Sequence, residues 1–263
     1  MSDILDLGGR VALVTGAGQG VGRQIALHLA GRGSGGVAVN DFYKDRAEAV
    51  AEEIRVAGGR AIAVQADVSD LHSVKAMAAE VEAALGPVGV LVNNAGNYGA
   101  APTADVAKPF WETGPAAWNQ IAGVNFYGPI NCAAAFVPQM IARRAPGRII
   151  TIISDAGRYG DAGMEVYAAS KAGAAGFTRS LARTLARHAI TANAVAIAAT
   201  RTPATEALFA DEERVKRTFE KYIVRRPGEP IDVANMVLFL ASGASSWISG
   251  QTYPVDGGFM VAL

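Results

Sequence analysis

Tyr167 and Lys171 stand four residues apart in the segment YAASK. On a helix this spacing puts a phenol and an ammonium on one face, a turn from each other. A positive charge at that distance favours the phenolate and draws the tyrosine down from its ordinary pKa of ~10, so the pair can take or give a proton near neutral pH. Such pairs also decorate solvated helices, and the neighbours decide between the two. Ser154 closes an apolar run upstream and offers a hydroxyl to a substrate oxygen that Tyr167 would protonate or deprotonate. Asn125 sits in the mostly apolar, small-residue segment WNQIAGVNFYGPINCAAAF, read as a helix. An amide buried there needs partners, and a water held by it would relay protons to Lys171.

A second set of residues can hold a phosphate. The stretch VALVTGAGQGVGRQIA carries Gly16, Gly18, Gly20 and Gly22. Glycine lets the backbone turn tightly and lets a pyrophosphate approach helix N–H groups without meeting a Cβ. A Gly-rich turn alone is a weak sign, but this one follows an apolar run and opens a segment of helical spacing. The next apolar run ends in Asp41, placed to accept hydrogen bonds from an adenosine ribose. A carboxylate there repels a 2′-phosphate, and Gln19 brings no compensating charge, so NAD is preferred to NADP. Asp41 can also cap the helix expected over 44–57, and the two roles are compatible. Asp67 and Val68 follow the third run, and Asn93-Asn94-Ala95-Gly96 the fourth. Their small side chains and amide permit a flat ring to pack closely, although NNAG also reads as a plain turn.

The elements that must position these groups follow from the hydrophobic pattern. Unalternated apolar runs at 10–14, 36–40, 61–65, 88–92, 148–153 and 190–196 alternate with Ala-rich segments long enough for helices. Strands buried on both faces have this appearance, so the expected architecture is α/β with a parallel sheet between two helix layers. No repeat, linker or compositional break interrupts the 263 residues, which read as one domain over 1–263. The longest stretches without strand character, about 97–115 and 198–230, both follow strands, where open α/β sheets place their ligands.

Composition excludes several classes. Lys and Arg total 24 and so do Asp and Glu, with no basic stripe, which argues against nucleic acid as partner. Cys132 is alone and only three histidines occur, none at metal-ligand spacing, so no metal site is expected. The N-terminal MSDILDLGGR lacks a signal core and a basic leader, and no apolar run is long enough for a bilayer. The expected location is the cytoplasm.

In order and spacing, Thr15–Gly22, Asn93–Gly96, Asn125, Ser154 and Tyr167–Lys171 resemble the short-chain dehydrogenase/reductase family, and SGQTYPVDGGFMV resembles its last strand and subunit contact. The likeness runs from about Arg10 to Met260. It implies a Rossmann-type, doubly wound sheet of seven parallel strands and hydride transfer between nicotinamide and a carbinol carbon. It makes Tyr167 the acid/base, Lys171 the pKa-lowering and ribose-binding residue, Ser154 the orienter of the substrate oxygen and Asn125 the anchor of a proton relay. Cofactor contacts are implied at Gly16, Gln19, Gly20, Val21, Gly22, Asp41, Asp67, Val68, Asn94, Ala95, Gly96, Tyr167, Lys171 and Thr202, and a homotetramer is implied.

Two features depart from the family. After the sixth run Asn193 and Thr202 stand in place, but Ile197 and Ala198 occupy the Pro-Gly positions, losing a rigid φ and a permissive one. The stretch between Gly96 and Trp118 is also longer than the family's and reads as either a lid or a surface loop. Phe110, Trp111, Tyr159, Met164, Leu208, Phe209 and Phe219 suit a bulky or ring-bearing alcohol, although helix packing explains some of them equally well. The stretch 154–173 resembles that of alicyclic 2-hydroxyacyl-CoA dehydrogenases. Arg158 would then meet a carboxylate or a CoA phosphate, or be solvated. The expected function is an NAD-dependent secondary alcohol dehydrogenase or ketone reductase. The alternative is a cofactor-binding regulator or scaffold with weak or no turnover, supported by the altered 197–198 turn.

Overall fold

The structure is a computed structural model that describes residues 3–96 and 108–261. Its strands are β1 (Val11–Val14), β2 (Gly36–Asp41), β3 (Ala61–Gln65), β4 (Val88–Asn93), β5 (Gly147–Ser154), β6 (Ile190–Ile197) and β7 (Thr252–Val255). They form one seven-stranded sheet in the order β3-β2-β1-β4-β5-β6-β7, every pair parallel. The chain winds outward from β1 to β3 and then returns to build β4 to β7 on the other side. This is the Rossmann-type fold expected from the sequence, and its strand order reverses between β1 and β4, where such sheets open a crevice.

The uninterrupted apolar runs feed two cores. Ala12, Val14, Val37, Val39, Val90, Val92 and Val195 point to one face. There α1 (Gly20–Ala30), α2 (Lys44–Val56) and α9 (Pro230–Ala241) cover them. Leu13, Ala38, Leu91 and Ile149 point to the other, beneath α3 (Leu71–Leu85), α5 (Gly128–Ala142) and α7 (Glu165–Leu185). Each helix supplies its apolar stripe at helical spacing, as with Val21, Ile25 and Leu29 of α1. The described residues also include three shorter helices: α4 (Pro115–Ala122), α6 (Ala156–Tyr159) and α8 (Glu212–Phe219). Among the described residues no helix is long and apolar enough to cross a membrane.

Two local features bear on the site. First, Asn125 does not lie in regular α-helix: Gly123–Tyr127 forms a π-helical turn between α4 and α5. Such a turn inserts an extra residue and re-aims side chains. Within it the Phe126 ring lies against Gly173 of α7, where a Cβ would come to 2.9 Å. Second, the turn that lacks Pro-Gly is closed by other means. Thr200 pairs with Gly228 in an isolated parallel bridge, Gly228 N–H donating to Ala199 O at 3.0 Å and Arg201 N–H to Gly228 O at 2.8 Å. Without proline at position 197, β6 runs through Ile197, which pairs with both Ser154 and Val255. Of the two long stretches, 97–107 lies outside the described residues, while 198–230 contains a 3-10 turn at Glu206–Phe209 and α8.

The two central strands are tied at their C-terminal ends by one hydroxyl. Thr15 Oγ1 accepts from Asn94 N–H and Ala95 N–H, both at 3.0 Å, and stands 3.4 Å from Val92 O. Thr15→Val keeps the shape and leaves both N–H groups without this acceptor. Unfolding in urea should show a loss of about 1–3 kcal/mol, and an unchanged midpoint would contradict the role given to Thr15.

Candidate active site

The first turn is a cradle of bare backbone. Gly16 and Gly20 hold φ of +60° and +55°, in the left-handed region that L side chains avoid. A Cβ on Gly22 would come to 2.2 Å from Gly16 O, and one on Gly18 to 2.7 Å from Asp41 Oδ2. Gln19 is the N-cap of α1 but caps nothing with its side chain, and Val21 is buried below the turn. The cradle thus opens the α1 N-terminus to an anion, a fit to the pyrophosphate of a dinucleotide.

The strand ends converge around it. Asp41, only 7% exposed, accepts from Gly18 N–H through Oδ2 and from Tyr43 N–H through Oδ1, both at 3.0 Å. It therefore braces the cradle and the entry to α2, whose N-cap is Tyr43. Asn94 Nδ2 donates to Thr15 O and Gly16 O at 2.9 and 3.1 Å, and Ala95 packs against Gly16. Asp67 Oδ1 accepts from Ser69 N–H and Ser69 Oγ, and buried Val68 packs against Gly128. Thr202 reaches the cradle from the far side of the sheet, since a Cβ on Gly20 would lie 3.3 Å from Thr202 Cβ.

The titratable groups meet one step away. Lys171 is 4% exposed and Asn125 fully buried. Lys171 Nζ donates to Ile152 O at 3.0 Å and lies 5.8 Å from the centre of the Tyr167 ring. Asn125 Nδ2 donates to Ile121 O at 2.9 Å. A Cβ on Gly96 would stand 2.6 Å from Lys171 Nζ and 2.9 Å from Asn125 Oδ1, so the ammonium and the amide oxygen face the same small volume at the end of β4. Ser154 ends β5 and its Oγ accepts from Ala156 N–H at 3.2 Å. Tyr167 is half-buried and opens into a groove shared with Trp118, Ile121 and Met164. Burial alone pushes the Lys171 ammonium down to about 8.

The aromatic residues divide. Phe110 and Trp111 stack edge to face and are largely exposed, and Phe110 borders the Tyr167 groove. Phe219 is 3% exposed, packed between Phe209 and Tyr222, so it belongs to the packing of 198–230 rather than to an open wall. Phe259 joins Tyr222 and Tyr159, with ring centres 4.8 and 5.4 Å away. Arg158 is partly buried and already paired. Its Nη1 meets Asp155 Oδ1 at 2.7 Å, so an internal carboxylate holds the charge that the sequence offered to a substrate. A cavity of about 640 Å³ lies apart from Tyr167, between the 198–200 turn, Tyr222, α9 and the end of β7.

Comparison with known proteins bears on the family and the fold. The pattern of the short chain dehydrogenases matches residues 10–213. The chain belongs to that family. It is 42% identical over 248 residues to a 3-oxoacyl-[acyl-carrier-protein] reductase of Staphylococcus aureus, covering 94% of this chain and 96% of the relative. It is 36% identical over 257 residues to the 7alpha-hydroxysteroid dehydrogenase of Escherichia coli, covering 98% and 96%. A structure of 7 alpha-hydroxysteroid dehydrogenase complexed with NADH and 7-oxo glycochenodeoxycholic acid superposes with a TM-score of 0.90 at 35% identity, over 98% of this chain and 97% of that one. A gluconate 5-dehydrogenase from Burkholderia cenocepacia, in complex with NADP and tartrate, gives 0.90 at 32% over 99% of each. The family is one of nicotinamide-dependent oxidoreductases.

Among the family's motif residues, Lys171 has a consequence for stability. Its pKa in the fold lies below that of the unfolded chain, so the buried ammonium costs stability fully below pH 8 and the cost vanishes as pH rises from about 8 to 10.5. The size is on the order of 3 kcal/mol. Lys171→Met should therefore stabilise the coenzyme-free protein at pH 7, and the gain over wild type should fade by pH 10.5. A variant less stable than wild type at pH 7 would show that the ammonium is not a net cost.

Proposed function

We propose that this chain is an NAD(H)-dependent oxidoreductase that interconverts a secondary alcohol and a ketone on a bulky or cyclic substrate, with an alicyclic hydroxyacyl-CoA as one candidate class. The observation that carries the reading is the meeting of Lys171 Nζ and Asn125 Oδ1 at Gly96, with the Tyr167 ring beside the same ammonium. In this reading Tyr167 takes the hydroxyl proton of the alcohol, or gives one to the ketone oxygen. Lys171 stabilises the phenolate and holds the ribose nearest the chemistry. Ser154, whose Oγ lone pair is already engaged by Ala156 N–H, donates its own hydrogen to the substrate oxygen. Asn125 holds a water that passes protons to Lys171.

Gly16, Gln19, Gly20, Val21 and Gly22 would carry the pyrophosphate, Asp41 the adenosine ribose, and Asp67 and Val68 the adenine. Asn94, Ala95, Gly96 and Thr202 would carry the nicotinamide half. When bound, the dinucleotide supplies the hydride chemistry that no side chain here can provide. Preference for NAD over NADP rests on the Asp41 carboxylate beside Gly18. Arg46, the basic side chain near that turn, has its guanidinium stacked 4.5 Å above the Tyr43 ring.

Segments 97–115 and 198–230 would form the substrate walls of the single domain. A homotetramer in the cytoplasm completes the proposal, supported by exposed Trp118 and Tyr127 on the helices around Asn125. Two relatives act, by name, on a 3-oxoacyl carrier protein and a hydroxysteroid, both bulky, which supports the substrate class. The scaffold alternative drew on the Ile197–Ala198 turn, and the closure of that turn through Gly228 weighs against it.

Tyr167→Phe should lower kcat at least about 10²-fold on any ketone that wild type reduces, while NADH binding measured by fluorescence persists. Unchanged turnover would refute Tyr167 as the acid/base. Tight NADH binding by wild type with no turnover across a panel of cyclic and acyl-CoA ketones would favour the scaffold reading. In a thermal-shift titration NAD(H) should bind at least about tenfold tighter than NADP(H), and the reverse order would overturn the role given to Asp41.

A further inference from the structure

The edge of the sheet opposite the crevice gathers three guanidiniums that no carboxylate answers. Arg10 leads into β1, Arg143 is the C-cap of α5, and Arg148 is the second residue of β5. Elsewhere arginines such as Arg23, Arg158 and Arg226 form ion pairs with Asp or Glu. Among the described residues Arg10, Arg143 and Arg148 form none.

Named contacts draw the three together. Gly89 of β4 sits at a register shift, between Val88, which pairs with Val11, and Val90, which pairs with both Ala12 and Arg148. A Cβ on Gly89 would come to 2.9 Å from Arg143 Nη1 and 3.0 Å from Arg10 Cγ, so both side chains crowd the space that glycine leaves. Arg143 Nη2 donates to Ala145 O at 3.2 Å and to Pro146 O, while Arg148 Nη1 donates to the next carbonyl, Gly147 O, at 2.9 Å. Arg143 therefore stands in the middle, meeting Arg10 at the register shift and Arg148 on the turn from α5 to β5.

Their hydrogen bonds inside the protein go to main-chain carbonyls alone. Arg10 Nε donates to Leu7 O at 2.6 Å, and Arg148 Nε to Ser242 O at 3.1 Å, at the C-terminus of α9. Carbonyl dipoles offset part of a cation's cost and leave its charge in place. Donors are left over as well. Arg143 Nε is buried without a partner, and Arg143 Nη1 and both Nη groups of Arg10 make no hydrogen bond within the described residues. Arg148 is 3% exposed and the other two are half-buried, so the cluster is rooted in the sheet while two of its members reach solvent.

We infer that Arg10, Arg143 and Arg148 form a binding site for a phosphate-type anion, either inorganic phosphate or the phosphate of a monoester. Planar guanidinium forks match the tetrahedral oxygens of such an anion, and several converging forks supply both charge and directed donors. The charges also come close to balance. Asp6, fastened to Gly8 N–H, acts on Arg10 from beyond ion-pair contact, and a dianion together with that carboxylate offsets three cations.

The electrostatics of the cluster agree. Burial first, and then Arg10 and Arg143, push the Arg148 guanidinium down to about 10. Arg10 is lowered by burial and by Arg143, with Asp6 opposing. These are the directions expected of cations held together without an anion between them.

The site is remote from Tyr167 and from the Gly-rich cradle. Arg10, Gly89 and Arg148 stand at the starts of β1, β4 and β5, and the far ends of the same strands lead to Thr15, Asn94 and Ser154. An anion bound here ties the three central strands at their entry, whatever fills the crevice.

Thermal unfolding of the full chain tests the inference, with inorganic phosphate set against sodium chloride of equal ionic strength, because chloride screens charge without bridging the forks. The Tm of wild type should rise over the chloride control by about 3–6 °C at ten times the dissociation constant for phosphate. Arg10→Gln and Arg143→Gln each remove one fork and should weaken phosphate about tenfold or more. Lys75→Gln, on the exposed face of α3, loses the same charge and should respond as wild type does. Each protein serves as its own reference, so a change in a variant's intrinsic stability does not enter. Glycerol phosphate run in parallel identifies the source of the anion: tighter binding than inorganic phosphate marks a phosphorylated metabolite, and weaker binding marks the free ion. No rise over chloride would overturn the site. Equal phosphate affinity in wild type and both arginine variants would overturn it too, by placing the ion elsewhere, as at the cradle. None of these readouts uses a substrate or coenzyme, so they stand or fall apart from the proposed reaction.

Discussion

The C-terminal edge of the sheet is organised around one buried ammonium. Lys171 has left water almost completely, and within the described residues the structure gives it a backbone carbonyl, an aromatic face and an amide oxygen close by. A charge in such a place is tolerated only when every neighbour is arranged for it. Helix α7 must lie close enough to β5 for Nζ to reach Ile152 O, which is why its inner face is built of Ala174, Ala175, Thr178 and Ala182. The π turn brings Asn125 round to the same point, and Gly96 leaves the space in which amide and ammonium meet. Fold and chemistry are coupled here because the packing has to be tight for the charge to be useful.

The nucleotide side of the crevice follows a different logic. Backbone carbonyls and N–H groups of the first turn are held in place by Asp41, Asn94 and Thr15, side chains that fasten strands to one another and leave the cradle floor empty. The two halves of the sheet therefore differ in what they offer a ligand. Strands β1 to β3 with α1 present main chain, while β4 to β6 with α7 present side chains. Thr202, arriving beside Gly20, adds one more contact across the crevice to those that Asn94 and Ala95 make with the first turn.

Much of this could be read from the chain alone. Unalternated apolar runs located six strands to within a residue or two, because burial on both faces leaves no room for polar alternation, and the Gly-rich turn and YAASK could be placed at the start of α1 and on α7 because their spacing lies within one element. What escaped depends on partners far apart in sequence. The π turn packs Phe126 on Gly173, a contact between residues far apart in the chain that no local propensity encodes. Arg158 looked available because its partner, Asp155, reads as an ordinary loop acid until the fold buries it. The Pro-Gly loss at Ile197 and Ala198 looked like damage until Gly228 was seen bridging to Thr200. Phe219 looked like pocket lining because hydrophobicity marks burial without saying which side of a segment is inward.

The bridge between Thr200 and Gly228 also bears on how such a protein can change. The ends of the intervening segment are stitched to each other, and its second half is anchored on the C-terminal turn through Tyr222 on Phe259 and Val224 N–H on Gly257 O. The outer stretch around α8 carries most of the exposed side chains of this segment, away from the register of β6. A change in that outer stretch would then reach the crevice only through Thr202 at one end of the bridge and Tyr222 at the other, so the bridge confines the effect of sequence variation to two points of entry.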